Sequence, residues 1–271
     1  TMGAVAVTEQ AIINEAHQLG LVVPNRKGKD EQGDTQAAGA YVAYPKKGMH
    51  DWVGAIDINS LYPSAIRALN MGPETIVGQL RPIMTDRYIA EKMSSGSSFA
   101  DAWENMFGTL EYTAVMENQV GTEITIDWED GNSTLHSAAE VWRLIFDSNQ
   151  PWTLSANGTI FSYERKGVVP GLLERWYAER KEMQAKKKDA ENDEDKAFWD
   201  KRQLVKKINL NSLYGAILNP GCRFFDKRIG QSTTLTGRII ARHMDAYINE
   251  CIFGKYDHVG EIGRAHVWTP V

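Results

Sequence analysis

Cysteine is nearly absent from the 271-residue chain: Cys222 and Cys251 are its two thiols, far apart and in no C-x-x-C pattern, which excludes a disulfide framework and a thiolate zinc site. The six histidines show no ligand spacing either. No run approaches the roughly 20 apolar residues that cross a bilayer. The opening TMGAVAVTEQAIINEAHQLG also lacks the charged-then-apolar layout of a signal peptide. These absences predict a soluble, intracellular chain with no membrane partner. Overall positive charge is missing too, the formal net being −5. What is present is material for a core, with 42% hydrophobic and 10% aromatic positions, a composition that argues against disorder.

The net charge conceals an asymmetry. Residues 1–164 hold 10 Lys+Arg against 21 Asp+Glu, a balance of −11, whereas residues 165–271 hold 20 against 14, a balance of +6. Between Lys206 and Arg242 there are seven basic residues (Lys206, Lys207, Arg223, Lys227, Arg228, Arg238, Arg242) and one acid, Asp226. A polyanion would bind here if anywhere, although on charge alone such a run is more often a solvated helix face.

Periodicity predicts a helix over 9–20, then a polar loop, then a strand, AYVAY. The run WVGAIDINSLYPS reads as a buried strand over Val53 to Ile58, which places Asp57 at a strand end. It turns there into a helix with Pro63 in its first turn. An amphipathic stretch follows near 86–107, then a hairpin, EITIDWEDGNSTLH, turning at Asp130-Gly131, and a second hairpin turning at Asn157-Gly158. Pro170 opens a helix to about Lys188, DAENDED ends it, and another helix covers about Lys196 to Leu218. The two helices read as an antiparallel hairpin. RFFDKR reads as extended, with Ser232 or Thr233 capping a final helix through Ile252.

Two segments carry chemistry: D57-I-N-S-L-Y-P-S64 and K207-I-N-L-N-S-L-Y-G215. A carboxylate at a strand end before a tight turn can hold a divalent cation through its side chain and the next carbonyl, leaving turn N–H groups for phosphate oxygens. Alone, such an aspartate is more often a helix cap or a paired surface acid. In the second segment Lys207, Asn211, Tyr214 and Leu218 fall at i, i+4, i+7 and i+11, one helical stripe bearing a cation, an amide and a phenol. Alone, such a stripe is more often half-exposed surface, with Lys207 solvated and Tyr214 packed.

Together and in this order the segments resemble motifs A and B of family B DNA polymerases, D-x-x-S-L-Y-P-S and K-x-x-x-N-S-x-Y-G. The flanks NMGPETIVG, KGVVP and NSLYGAILNPGCRFFD are similar to the replicative polymerases of T-even-type tailed bacteriophages. The resemblance covers about residues 37–81 and 150–257. It implies an α+β fold: a partial polymerase palm, an antiparallel sheet with helices, interrupted by a two-helix fingers hairpin. Residues 1–50 would connect to a preceding exonuclease region. Residues 51–165 would be the first part of the palm, with a divergent insertion at 82–149; residues 166–219 would be the fingers, and 220–260 the second, incomplete palm segment.

The resemblance further implies that Asp57, with the Ile58 carbonyl, binds Mg²⁺, two ions serving the complete enzyme. Ser60, Leu61 and Tyr62 would surround the triphosphate and sugar of a dNTP. Arg180 and Lys207 would neutralise its phosphates, Lys207 with a catalytic part, and Asn211 and Tyr214 would lie against the nascent base pair. Primer-template DNA, dNTPs and, for the full-length protein, a sliding clamp are the implied partners, in the cytoplasm of an infected bacterium. Position 184, often basic in such relatives, is Gln184, for which Lys186, Lys187 or Lys188 would compensate. No motif C follows, and EIGRAHVWTPV resembles a translated sequencing adapter, so residues 261–271 read as a non-native tail on a fragment that is inactive alone. The competing class is a non-catalytic nucleic-acid-binding module, which has no use for a carboxylate among phosphate contacts.

Overall fold

A computed structural model describes residues 3–26, 28, 44–45, 47–49, 56–82, 94–96, 123–253 and 264–265. The expected strand at 40–44 falls almost wholly outside these residues, as do the start of the strand ahead of Asp57 and nearly all of the amphipathic stretch at 86–107. Within the expected tail, Arg264–Ala265 forms a short parallel bridge with Tyr44–Pro45.

Helix α1 (Ala4–Gln18) begins earlier than its periodicity indicated. The reason is that Thr8, Glu9, Ile12 and Ala16 form one buried face, so the helix is set by packing as well as by pattern. Helix α2 (Leu61–Ala68) follows the Asp57 turn and buries Pro63, Ala65 and Ile66. Residues 56–58 are irregular and Ile56 and Asp57 are exposed, so no strand carries Asp57 among the described residues.

Five strands form one antiparallel sheet: β1 (Ile76–Pro82), β2 (Glu123–Trp128), β3 (Ser133–Ser137), β4 (Trp152–Leu154) and β5 (Thr159–Ser162), in the spatial order β3-β2-β1-β5-β4. Both expected hairpins are present, turning at Gly131 (φ 87°) and Gly158 (φ 82°), conformations that suit glycine. The first of them lies within the expected insertion, yet β2 pairs along β1 from Gly78↔Trp128 to Pro82↔Ile124. That part of the segment therefore extends the central sheet. Alternation of buried Ile124 and Ile126 with more exposed neighbours supplies the sheet's inner face, covered by α3 (Ala138–Trp142) and by Leu235.

The long helices α4 (Val168–Asp189) and α5 (Asp193–Ile217) form the antiparallel hairpin, with Asn192 capping α5 through a 2.7 Å bond from the Asp195 N–H. Their bases are buried, through Leu172, Leu173 and Trp176 on one and Leu210, Leu213 and Ile217 on the other, and share a core with α1 and α2. Their distal halves are largely exposed.

RFFDKR differs from expectation. Cys222 N–H bonds the Asn219 carbonyl at 2.8 Å and Phe225 N–H the Cys222 carbonyl at 3.2 Å, a turn that buries Cys222 and Phe224. Helix α6 (Lys227–Phe253) starts immediately afterwards. Asp226, not Ser232 or Thr233, takes the capping place, accepting the Arg228 N–H at 2.8 Å. Ser232, Thr233 and Thr234 lie inside α6 and are buried, because their hydroxyls find partners there: Thr233 and Thr234 donate one turn back to the carbonyls of Ile229 (2.8 Å) and Gly230 (3.0 Å), and Ser232 donates to Asn157 (2.7 Å).

Candidate active site

The turn into α2 is made by Ser60, a non-glycine residue in the left-handed region (φ 55°, ψ 50°). This is a conformation that costs a β-carbon-bearing residue and is found where geometry matters more than comfort. Its hydroxyl donates to Asn59 Oδ1 at 3.3 Å, the Ser64 hydroxyl donates to the Asn59 carbonyl at 3.4 Å, and the Ser60 side chain does not cap α2. The amides of Leu61 and Tyr62 therefore have no intrahelical partner. Asp57 is exposed at the mouth of this turn and Ile58 is half-buried.

Tyr62 points back across the molecule. Its ring centroid lies 4.6 Å from that of Tyr214, the planes tilted by 43°. This contact joins the two motifs. Burial pushes the Tyr62 phenol above its ordinary value, the nearby charge of Arg238 working the other way. Burial likewise pushes Tyr214 up. The Tyr214 hydroxyl is hydrogen-bonded to that of Thr234 on α6.

Along α5 the stripe continues outward through Asn211 and Lys207, both exposed. Its neighbour Lys206 is committed, paired with Glu179 of α4 and set 5.8 Å from the Trp176 ring centroid. Arg180 is half-buried on α4, its Nε donating to Gln203 Oε1 at 3.3 Å. Gln203 lies one turn before Lys207, so this bond puts Arg180 on the stripe's side of the hairpin. Of the lysines expected to compensate for Gln184, Lys186 pairs with Glu182 (2.6 Å) and lies 4.9 Å from the Trp199 ring centroid, and Lys187 pairs with Asp200 (2.7 Å). Lys188 is exposed.

A carboxylate and a peptide carbonyl are hard oxygen donors of the kind Mg²⁺ takes. Among the described residues no group of three or more His, Cys, Asp or Glu side chains comes together. Asp57 and the Ile58 carbonyl offer two such donors, and a divalent cation there would need further ligands.

Sequence reasoning did not single out the residues that hold the motifs in register. Asn70, also left-handed (φ 53°) and buried, donates to the carbonyls of Ser162 (2.8 Å) and Arg165 (2.9 Å) and accepts the Gly167 N–H (3.0 Å). Glu74 accepts the Val168 N–H at 2.5 Å, capping α4. Together they fasten the chain leaving α2 to the start of α4. The only signal was their place in the flank NMGPETIVG.

A family model described as DNA polymerase family B matches residues 1–261. The chain is 26% identical, over 92% of its length, to the DNA-directed DNA polymerase of Enterobacteria phage T4, covering 28% of that protein. It is 29% identical, over 90% of its length, to the DNA polymerase of Paramecium bursaria Chlorella virus NY2A, covering 21% of it. It is 25% identical, over 86% of its length, to DNA polymerase 2 of Aeropyrum pernix, again covering 21%. The chain thus spans about a quarter of the length of the curated relatives it matches. Among solved structures, the family B DNA polymerase from the hyperthermophilic archaeon Pyrobaculum calidifontis shares the fold with a TM-score of 0.52 at 16% identity, over 92% of this chain and 24% of that one.

Proposed function

The chain belongs to DNA polymerase family B, and we propose that it forms the palm and fingers of a template-directed enzyme that adds dNTPs to a primer 3′-hydroxyl in phage DNA replication. The observation that carries this reading is the packing of Tyr62 on Tyr214. The two tyrosines are far apart in sequence but adjacent in space, and their contact brings the Asp57 turn beside the Lys207 stripe. In this reading residues 1–50 are a connecting segment, 51–165 the first palm segment, 166–219 the fingers and 220–260 the second palm segment, with 261–271 a non-native tail. The pairing of β2 with β1 supports placing at least residues 123–137 of the 82–149 insertion in the palm sheet.

Each side chain then has a task. Asp57 and the Ile58 carbonyl would hold Mg²⁺, which when bound supplies charge neutralisation for an in-line phosphoryl displacement. Lys207, exposed and in no ion pair among the described residues, binds and fixes triphosphate oxygens, and Arg180 adds a second cation from α4. The amides of Leu61 and Tyr62, which have no intrahelical acceptor, line the same turn with Ser60. The Tyr62 ring lies beneath the incoming sugar and leaves no room for a 2′-hydroxyl, and Asn211 and Tyr214 face the nascent base pair. Primer-template DNA, a sliding clamp for the full-length protein and the cytoplasm of an infected bacterium complete the setting.

The test is primer extension with Mg²⁺ by the full-length protein of which we infer this chain to be a part. Asp57→Ala should abolish incorporation while primer-template binding persists. Loss of DNA binding with incorporation per bound complex unchanged would favour a nucleic-acid-binding module and sink the catalytic assignment. The 271-residue chain alone should not extend a primer, because two dications a few ångströms apart need more than one carboxylate between them and no group of three or more such ligands forms among the described residues.

A further inference from the structure

Glycine is unfavourable in a helix interior relative to alanine, so a buried glycine within α6 calls for a reason. Gly237 has no positive φ to explain it. Space does. A β-carbon there would stand 2.7 Å from Tyr62 Cε1, 3.1 Å from Tyr62 Cδ1 and 3.5 Å from Leu61 Cδ2. The first distance is about 0.7 Å short of ordinary contact, which begins near 3.4 Å. The edge of the Tyr62 ring therefore rests directly on the backbone of α6.

The same helix fixes the ring's other neighbour. The Thr234 hydroxyl donates to the Gly230 carbonyl at 3.0 Å, which leaves its oxygen to accept from the Tyr214 hydroxyl. Tyr214 in turn lies 4.6 Å from Tyr62, centroid to centroid. One turn of α6 thus sets both rings, Thr234 through a hydroxyl and Gly237 through the absence of a side chain.

We propose that Gly237 is a positioning residue for nucleotide selection: by letting Tyr62 seat against α6, it sets how far the ring projects toward the incoming sugar. The inference rests on the reading of Tyr62 as the sugar-facing gate. A β-carbon at 237 moves the ring off its seat. Tyr214 stands against one face of the ring, so the displacement carries the ring off α6 and toward the incoming sugar of that reading.

The test is a pair of double-mutant cycles. In the full-length enzyme, Gly237→Ala should raise the KM for dNTPs about tenfold with little change in kcat, and should not relax discrimination against ribonucleotides. In a Tyr62→Ala background the same substitution should leave KM unchanged, and in a Tyr62→Phe background, which keeps the ring, the rise should persist. In the 271-residue chain, Gly237→Ala should lower the thermal midpoint when Tyr62 is present and raise it when Tyr62 is alanine, where only helix propensity remains. An equal effect with and without the ring, in either assay, overturns the seat. If Tyr62→Ala fails to raise ribonucleotide use, the gate itself falls and the selectivity assignment with it, while the thermal cycle still reports separately whether Gly237 seats the ring.

Discussion

Replacing Asn70 with alanine should cost the fold about 3–5 kcal/mol, more than most single substitutions. The side chain is buried and bonds three backbone groups across the junction between α2 and α4: it donates to two carbonyls and accepts the Gly167 N–H. Gly167 is itself buried, so losing its acceptor leaves an unpaired donor at about 1–3 kcal/mol. The carbonyls of Ser162 and Arg165 belong to less buried residues, where water can compensate, and add about 0.5 kcal/mol each. The backbone contributes the rest. At φ 53° asparagine is tolerated, whereas alanine costs about 1 kcal/mol more. Asn70→Gly separates these components, because it removes the same hydrogen bonds but relieves the left-handed strain; it should therefore be less damaging than alanine by about 1 kcal/mol. Urea unfolding of the 271-residue chain followed by tryptophan fluorescence measures both. Hydrogen exchange at Gly167 and Val168 should show the added opening to be local to the start of α4. A loss below about 1 kcal/mol for alanine, or glycine worse than alanine, would refute the reasoning.

Glu9 should make the chain acid-sensitive: burial opposes its charge, but the Arg26 guanidinium and the Arg223 N–H prevail and hold its carboxyl below the ordinary value of 4.5. The folded pKa is thus the lower one, so the stabilisation is present above pH 4.5 and is lost as pH falls through the folded value. Urea midpoints across pH 3–7 should converge on those of Glu9→Gln at the acid end, and parallel curves would refute this. Cys222 is buried in the turn before α6 and burial pushes its thiol up, so a disulfide reagent should modify it only after unfolding; mass-mapped labelling of the native chain would contradict the placement. In the full-length enzyme, Lys207→Ala should lose about 1.5–3 kcal/mol of dNTP interaction, roughly 10- to 150-fold in kcat/KM, with primer-template affinity little changed. Equal losses in both would instead make Lys207 a DNA contact.

Local chemistry made much of this protein legible from sequence. The turns at Asp130-Gly131 and Asn157-Gly158, the break at DAENDED and the i, i+4, i+7 stripe on α5 depend on residues close in the chain, and each stands as read. The motifs themselves named Asp57, Tyr62 and Lys207, because their order and spacing carry information that burial does not supply. The starts of α1 and α6 were misjudged because a buried partner overrode a local preference. Glu9 is held by arginines 17 and 214 positions away. Ser232 is satisfied by Asn157 inside the helix it was expected to cap. Only the tertiary structure decided that Tyr62 rests on the bare backbone of Gly237 beside Tyr214, and that Asn70 ties the end of α2 to the start of α4. Side-chain fit between distant segments depends on ångström-scale clearances, and no pattern of residue types along the chain encodes those.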